Sequence, residues 1–296
     1  VPHSVVPASA IIATGRLQAS KNCLIVPYVT PPLRTNRSMK QNHADAAPNK
    51  YLSEIKFHGD GGHELHATIL SSAMRTLKND NLQTLILLHG GGPDHHMLVP
   101  LANHMPPGWD VILPDIRGYG RSICRDASRH SWGQYAADVI ALLDHLDISS
   151  AVIGGAGLGG TIALRVAVRY PQRVHAAVVI SLEAIESDAE RIDEIRIMEA
   201  FAAQVRSDGI QAAWAPFLEH LPVVIGAMVR DAIPRSDPES VAAAAAIAHD
   251  RSFGSADELA AIEVPTRIIP GVDSRHPTSL AKDVVAILPK GRLADV

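Results

Sequence analysis

Cysteine is nearly absent from this 296-residue chain, which holds only Cys23 and Cys124 with no CxxC spacing. A disulfide framework and a cysteine zinc site are therefore excluded, and the usage suits a reducing, cytoplasmic compartment. There is also no excess of either charge. Lys and Arg number 27 against 31 Asp and Glu, interspersed to a net charge of -4. Nothing in that balance makes a basic field for nucleic acid or an attraction to an anionic membrane. Long apolar runs are missing too, none approaching the roughly 20 residues that span a bilayer. Val5 to Thr14 lacks the basic start and extended apolar stretch of a secretory signal. A small molecule is the expected partner, no cofactor is expected, and nothing specifies an oligomeric state.

Residues 1–50 carry Pro27, Pro31, Pro32 and Pro48 without sustained periodicity, which predicts an extended or mobile arm. From Tyr51 the pattern changes to two strand-like segments, 51–57 and 64–70, around the turn Gly59-Asp60-Gly61-Gly62. Short, continuous apolar runs at 84–88, 111–113 and 151–153 read as strands buried on both faces, and 174–180 as a further strand. Helical spacing over 134–146 and 159–170 alternates with them, the signature of right-handed crossovers and a largely parallel sheet. Between residues 183 and 261 strand character gives way to amphipathic segments at 195–205, 210–218 and 240–248. Sheet character returns at 266–269, followed by a helix at 279–288 and the start of a strand at Arg292-Leu293. The expected division is a core of residues 51–182 and 262–296 interrupted by a helical cap at 183–261.

Three glycine-bearing loops follow predicted strands. They are His89-Gly-Gly-Gly-Pro93, Pro114-Asp-Ile-Arg-Gly-Tyr-Gly-Arg-Ser122 and Gly155-Ala-Gly157-Leu-Gly159-Gly160. In order and spacing they resemble the α/β-hydrolase family, whose fold is a mostly parallel sheet flanked by helices. The resemblance implies that the backbone of Gly90 or Gly91, beside His89, and the N–H of Leu158 form an oxyanion hole. It assigns the second loop to bracing the site. It also implies a nucleophile at position 157, where the family's Gly-x-Ser-x-Gly turn holds serine and this chain holds glycine. Glycine can attack nothing, so ordinary serine-esterase chemistry is in doubt.

The same six residues satisfy Gly-x-Gly-x-x-Gly, the dinucleotide fingerprint, with Glu183 as an acidic residue somewhat farther on than the fingerprint prefers. The two upstream loops and the helical insertion favour the hydrolase resemblance over that rival. Pro270-Gly-Val-Asp273 resembles the loop bearing the family's catalytic acid, which puts Asp273 at that position, with His276-Pro277 following. A loop or helix cap is the competing role for Asp273. The family's histidine belongs after the last strand, and the last histidine of this chain is His276.

Candidate substitutes are Asp94, His95 and His96, a group in which a histidine could act as base on water with Asp94 or Asp273 orienting it. A metal site is not expected, because adjacent histidines should point apart. The insertion should close over the carboxyl ends of the strands, with Met198, Phe201, Trp214, Phe217 and Met228 lining an apolar pocket. The expected function is hydrolysis of a small apolar ester-like or carbonyl substrate by activated water. A non-catalytic descendant that keeps the pocket for binding is the alternative.

Overall fold

The computed structural model describes residues 51–71, 83–185 and 188–295, so the expected N-terminal arm lies outside the described residues. Among them are eight strands: β1 (Tyr51–His58), β2 (Glu64–Ser71), β3 (Gln83–Leu88), β4 (Trp109–Pro114), β5 (Ala151–Ala156), β6 (Val174–Ile180), β7 (Thr266–Ile269) and β8 (Gly291–Leu293). They form one sheet in the order β1-β2-β4-β3-β5-β6-β7-β8. β2 is antiparallel to β1 and to β4, and every other neighbouring pair is parallel.

Both faces of the sheet are covered, as the continuous apolar runs require. On β3, Ile86 and Leu88 belong to one hydrophobic cluster and Leu85 and Leu87 to the other, the alternation of a strand buried on two sides. The covering helices include α1 (Val99–Asn103), α2 (Trp132–His145) and α3 (Leu158–Arg169). Ser131 starts α2 by accepting a hydrogen bond from the Gln134 N–H, a side-chain cap directly before the apolar stripe.

Between β6 and β7 the described chain is helical: α4 (Asp188–Asp208), α5 (Ile210–Leu218), α6 (Val223–Ala232) and α7 (Pro238–Ala244). α6 escapes the periodicity argument because Val223 and Val224 are exposed, which blurs its apolar stripe. The helix expected over 240–248 instead ends at Ala244 and tightens into a 3-10 turn over Ala245–His249. Ala242, Ala243 and Ala244 are buried there, and small side chains let Ala244 approach Gly118 closely. α8 (Thr278–Ile287) packs on β7 and β8. No described helix is long and apolar enough to cross a membrane.

Because β3, β5, β6 and β7 run in parallel, their carboxyl ends share one edge of the sheet. That edge delivers His89, Gly157, Glu183 and Asp273 to the same neighbourhood.

Candidate active site

The turn from β5 into α3 is built by close approach. A Cβ on Gly155 would lie 2.3 Å from the carbonyl carbon of Gly159, and one on Gly159 would lie 2.3 Å from the Leu88 carbonyl oxygen. Neither position tolerates a side chain. Gly157, between them, has φ 51° and ψ -119°, a left-handed geometry that L-residues adopt only under constraint. A Cβ built there would point at Glu183 Oε1, 3.3 Å away, and His276 Nε2, 3.6 Å away. The turn therefore still aims position 157 at an imidazole.

That imidazole is held at both nitrogens. His276 Nδ1 is 2.8 Å from Asp273 Oδ1, which also accepts the His276 and Arg275 N–H groups at 3.0 Å. His276 Nε2 lies 3.1 Å from Glu183 Oε2. Burial alone would lower the His276 pKa, but its two carboxylate partners raise it above the ordinary histidine value. Burial likewise opposes ionisation of Glu183, yet the hydrogen bond from His276, the nearby charges of Arg275 and His276 and the Leu158 N–H keep its carboxyl below the usual range. Asp273, against the same opposing burial, is lowered by His276. Both carboxylates thus favour the charged form of the ring.

The Leu158 N–H, expected to serve an oxyanion, stands close enough to the Glu183 carboxylate to help keep it ionised. This places a negative side chain at the amino end of α3, where the helix dipole favours it. It also answers the dinucleotide reading, since a pyrophosphate would have to displace a like-charged group from that helix end.

On the opposite loop, His89 is fully buried, and burial lowers its pKa. Its Nε2 accepts the Ile116 N–H at 2.9 Å, so the neutral tautomer carries its proton on Nδ1, 2.7 Å from the Gly90 carbonyl. His89 thus ties the loop to the chain after β4. The Gly90 N–H donates to Met97 Sδ, a weak acceptor, at 3.3 Å. Gly91 is exposed, and a Cβ on it would meet the Tyr119 hydroxyl at 3.9 Å. Trp214 of α5 closes over the same loop, its ring 2.6 Å from where a Cβ on Gly92 would stand. Phe201, Trp214 and Phe217 pack edge to face at 5.0 to 5.7 Å between centroids. Phe217 is thereby a packing partner of Trp214.

Asp94, His95 and His96 are bonded to other partners than the groups around Gly157. His95 is buried beneath the site, with Nδ1 2.7 Å from Asp115 Oδ1 and Nε2 3.2 Å from Thr68 Oγ1. Asp94 caps the 3-10 turn His95–Leu98, accepts from His96 and pairs with Arg235 at 2.8 Å. Its carboxyl is held far below the ordinary range by His96 and Arg235, although burial acts the other way. The expectation that adjacent histidines point apart fails, because this segment is helical. Their rings stand 4.1 Å apart, and the ligand atoms of the three residues lie within 4.8 Å of one another. A cation there would compete with the Arg235 guanidinium and with the bonds that already hold His95.

Around Gly157 the structure brings together Glu183 and His276, with Asp273 behind His276, while His95, His96 and Asp94 bond elsewhere. The sequence signal for His276 is its spacing from Asp273, three residues, which returns the side chain to the carboxylate in a tight turn. Glu183 is signalled only by its place after β6, the strand neighbouring the turn.

The sequence profile of the alpha/beta hydrolase fold family matches residues 83–227. An epoxide hydrolase of Caballeronia sordidicola is 36% identical over 125 residues, 40% of this chain and 38% of that protein. The 3-oxoadipate enol-lactonase 2 of Acinetobacter baylyi is 30% identical over 150 residues, 51% of this chain and 50% of that protein. The alignments therefore span half or less of these relatives' length. Among solved structures, the enol-lactonase from Burkholderia xenovorans LB400 superposes with a TM-score of 0.66 at 22% identity, covering 82% of this chain and 91% of that one. With the sheet order, the strand-to-helix turn and the profile in agreement, this chain has the α/β-hydrolase fold.

Proposed function

We propose that the protein hydrolyses a small, mostly apolar ester or lactone with water as the nucleophile, the site around His276 moving the protons. The observation that carries this reading is the aim of His276: its Nε2 lies 3.6 Å from the side-chain position of Gly157 while Asp273 holds its Nδ1. This is the geometry of a proton-transferring histidine and its orienting carboxylate, arranged around a position that offers no nucleophile of its own. Gly91 contributes the oxyanion donor from the His89 loop. α4 to α7 act as a cap, and the Phe201, Trp214 and Phe217 cluster gives the pocket its apolar wall. The substrate is small because Glu183 and Trp214 crowd the two glycine turns.

The test is a turnover screen with short-chain 4-nitrophenyl esters and five- and six-membered lactones. Turnover by the intact chain should fall about 10²-fold or more in His276→Gln and Asp273→Asn, and persist in His96→Ala. Absence of turnover across the panel, or turnover indifferent to His276, would remove the proposal. The competing reading, a binding protein without chemistry, draws on the closeness of the Leu158 N–H to Glu183. It predicts ligand retention with no product.

A further inference from the structure

Glu183 is presented by costly backbone. Ser181 and Ala184, on either side of it, have φ of 51° and 61°, the left-handed region that non-glycine residues avoid. Such conformations persist where the surroundings over-determine them, and they cluster at functional sites. The surroundings here are specific. The Thr161 hydroxyl of α3 donates to the Glu183 carbonyl at 2.5 Å, and the Ser181 N–H donates to the Ile269 carbonyl at 2.9 Å. This fixed segment sends the carboxylate across to the neighbouring turn, with Oε2 on His276 Nε2 and Oε1 3.3 Å from the side-chain position of Gly157. The other ionisable groups facing it are Arg275, whose Nε is 4.0 Å away, and Tyr119, which burial and the Glu183 charge keep as a neutral phenol.

Resting on the hydrolytic reading above, we infer that Glu183 is the general base of the reaction, standing in from β6 for the side chain that Gly157 lacks, and that His276 is the general acid. With both ring nitrogens facing carboxylates, His276 carries a proton on each and has no lone pair for water. The carboxylate has one. As water bonds to the acyl carbon, its proton passes to Glu183 Oε1 and the carbonyl electron pair moves onto the substrate oxygen. Collapse of the tetrahedral species re-forms the carbonyl and breaks the bond to the alcohol oxygen, which takes the Nε2 proton of His276. Glu183 then returns its proton to His276 Nε2, so one ester and one water give one acid and one alcohol. The Leu158 N–H, beside Glu183 at the amino end of α3, faces a neutral carboxyl once the first proton has passed and is available to the oxyanion as that charge forms.

The experiment compares Glu183→Gln, Glu183→Ala and His276→Gln with the intact chain on the same esters. Glu183→Gln should lower kcat about 10²-fold or more with KM within about threefold, and added formate should restore Glu183→Ala at least about tenfold. Single turnovers in ¹⁸O-water should label the acid product and leave the Glu183 peptide unlabelled. Glu183→Gln keeping more than a third of kcat, or gaining activity, overturns the inference while His276 dependence keeps the hydrolytic reading. Label appearing in Glu183 overturns it in favour of a covalent carboxylate nucleophile. No turnover by the intact chain overturns both readings together.

Discussion

Restoring a hydroxyl at position 157 asks whether the turn is still set for chemistry. In Gly157→Ser the new Cβ takes up φ 51° and ψ -119°, a conformation that costs a non-glycine residue about 1–3 kcal/mol. At roughly 2–4 °C per kcal/mol for a domain of this size, Tm should fall by about 2–12 °C, leaving a folded protein. The Cβ lies 3.6 Å from His276 Nε2, and the hydroxyl, one bond further, comes within hydrogen-bond reach of it. The same Cβ lies 3.3 Å from Glu183 Oε1, so the carboxylate has to give way by a few tenths of an ångström while still standing beside the Leu158 N–H. The serine should therefore react with a fluorophosphonate only slowly in the single variant. Adding Glu183→Ala frees both the imidazole and the N–H.

Losing one oxyanion donor costs about 10²–10³ in rate, so labelling of Gly157→Ser, Glu183→Ala should exceed that of the single variant by about 10²-fold. The intact chain should not label at this turn. The assay is labelling rate by intact mass, with the site located by peptide mapping and folding checked by circular dichroism. A folded double variant that does not label, or labels equally after His276→Gln, would refute the claim that position 157 faces a competent imidazole.

Three further outcomes concern the fold around the site. Burial holds His130 at a pKa of about 4 against the ordinary 6.5. A histidine neutral in the fold stabilises fully above its unfolded value and progressively less as pH falls toward 4, here by about 3 kcal/mol in all. Urea unfolding between pH 7 and 4 should show that loss, and His130→Asn should flatten it; an unchanged slope refutes the assignment. His95→Ala strips a partner from the buried Asp115 and should cost about 2–4 kcal/mol while activity per folded molecule is kept, measured by denaturation and active-site-normalised kcat. Arg235→Ala leaves the buried Asp94 with His96 alone and should cost about 1–3 kcal/mol. Because the Asp94 pKa is lowered in the fold, that stabilisation is present above about pH 4 and lost on acidification, so the variant and the intact chain should converge in stability at low pH.

The parallel sheet is legible because central strands buried on both faces read as unbroken apolar runs, as at Leu85–Leu88. α5, Ile210–Leu218, is legible for a related reason, a helical repeat bounded by Gly209 in a left-handed conformation. The site is less legible because its partners meet only through topology. Asp94, His95 and His96 attract notice as neighbours in sequence, yet a 3-10 turn and a buried bond to Asp115 direct His95 downward. Glu183 and Gly157 lie on adjacent strand ends, and only the β5–β6 pairing reveals their contact. His276 is concealed by position, because it comes before the final strand while the resemblance directs attention after it.

Gly157 and Glu183 are better understood as one feature than as a loss and an unrelated carboxylate. A side chain at 157 would stand 3.3 Å from Glu183 Oε1, tighter than most real contacts, so glycine makes the room that the carboxylate uses. The carboxylate in turn takes up a group that a nucleophile's absence would leave unpartnered, the His276 Nε2. A degenerate site has no reason to hold Ser181 and Ala184 in left-handed backbone, where each costs about 1–3 kcal/mol. Relaxing the segment should therefore raise stability as it lowers function. Ala184→Gly removes the penalty at φ 61° without touching the Glu183 side chain, and should raise Tm by about 2–4 °C for each kcal/mol recovered. If Glu183 depends on that bracing, the same variant should lose turnover with little change in KM. A variant both more stable and fully active would mean that the strain serves packing alone and that the carboxylate needs no such aim.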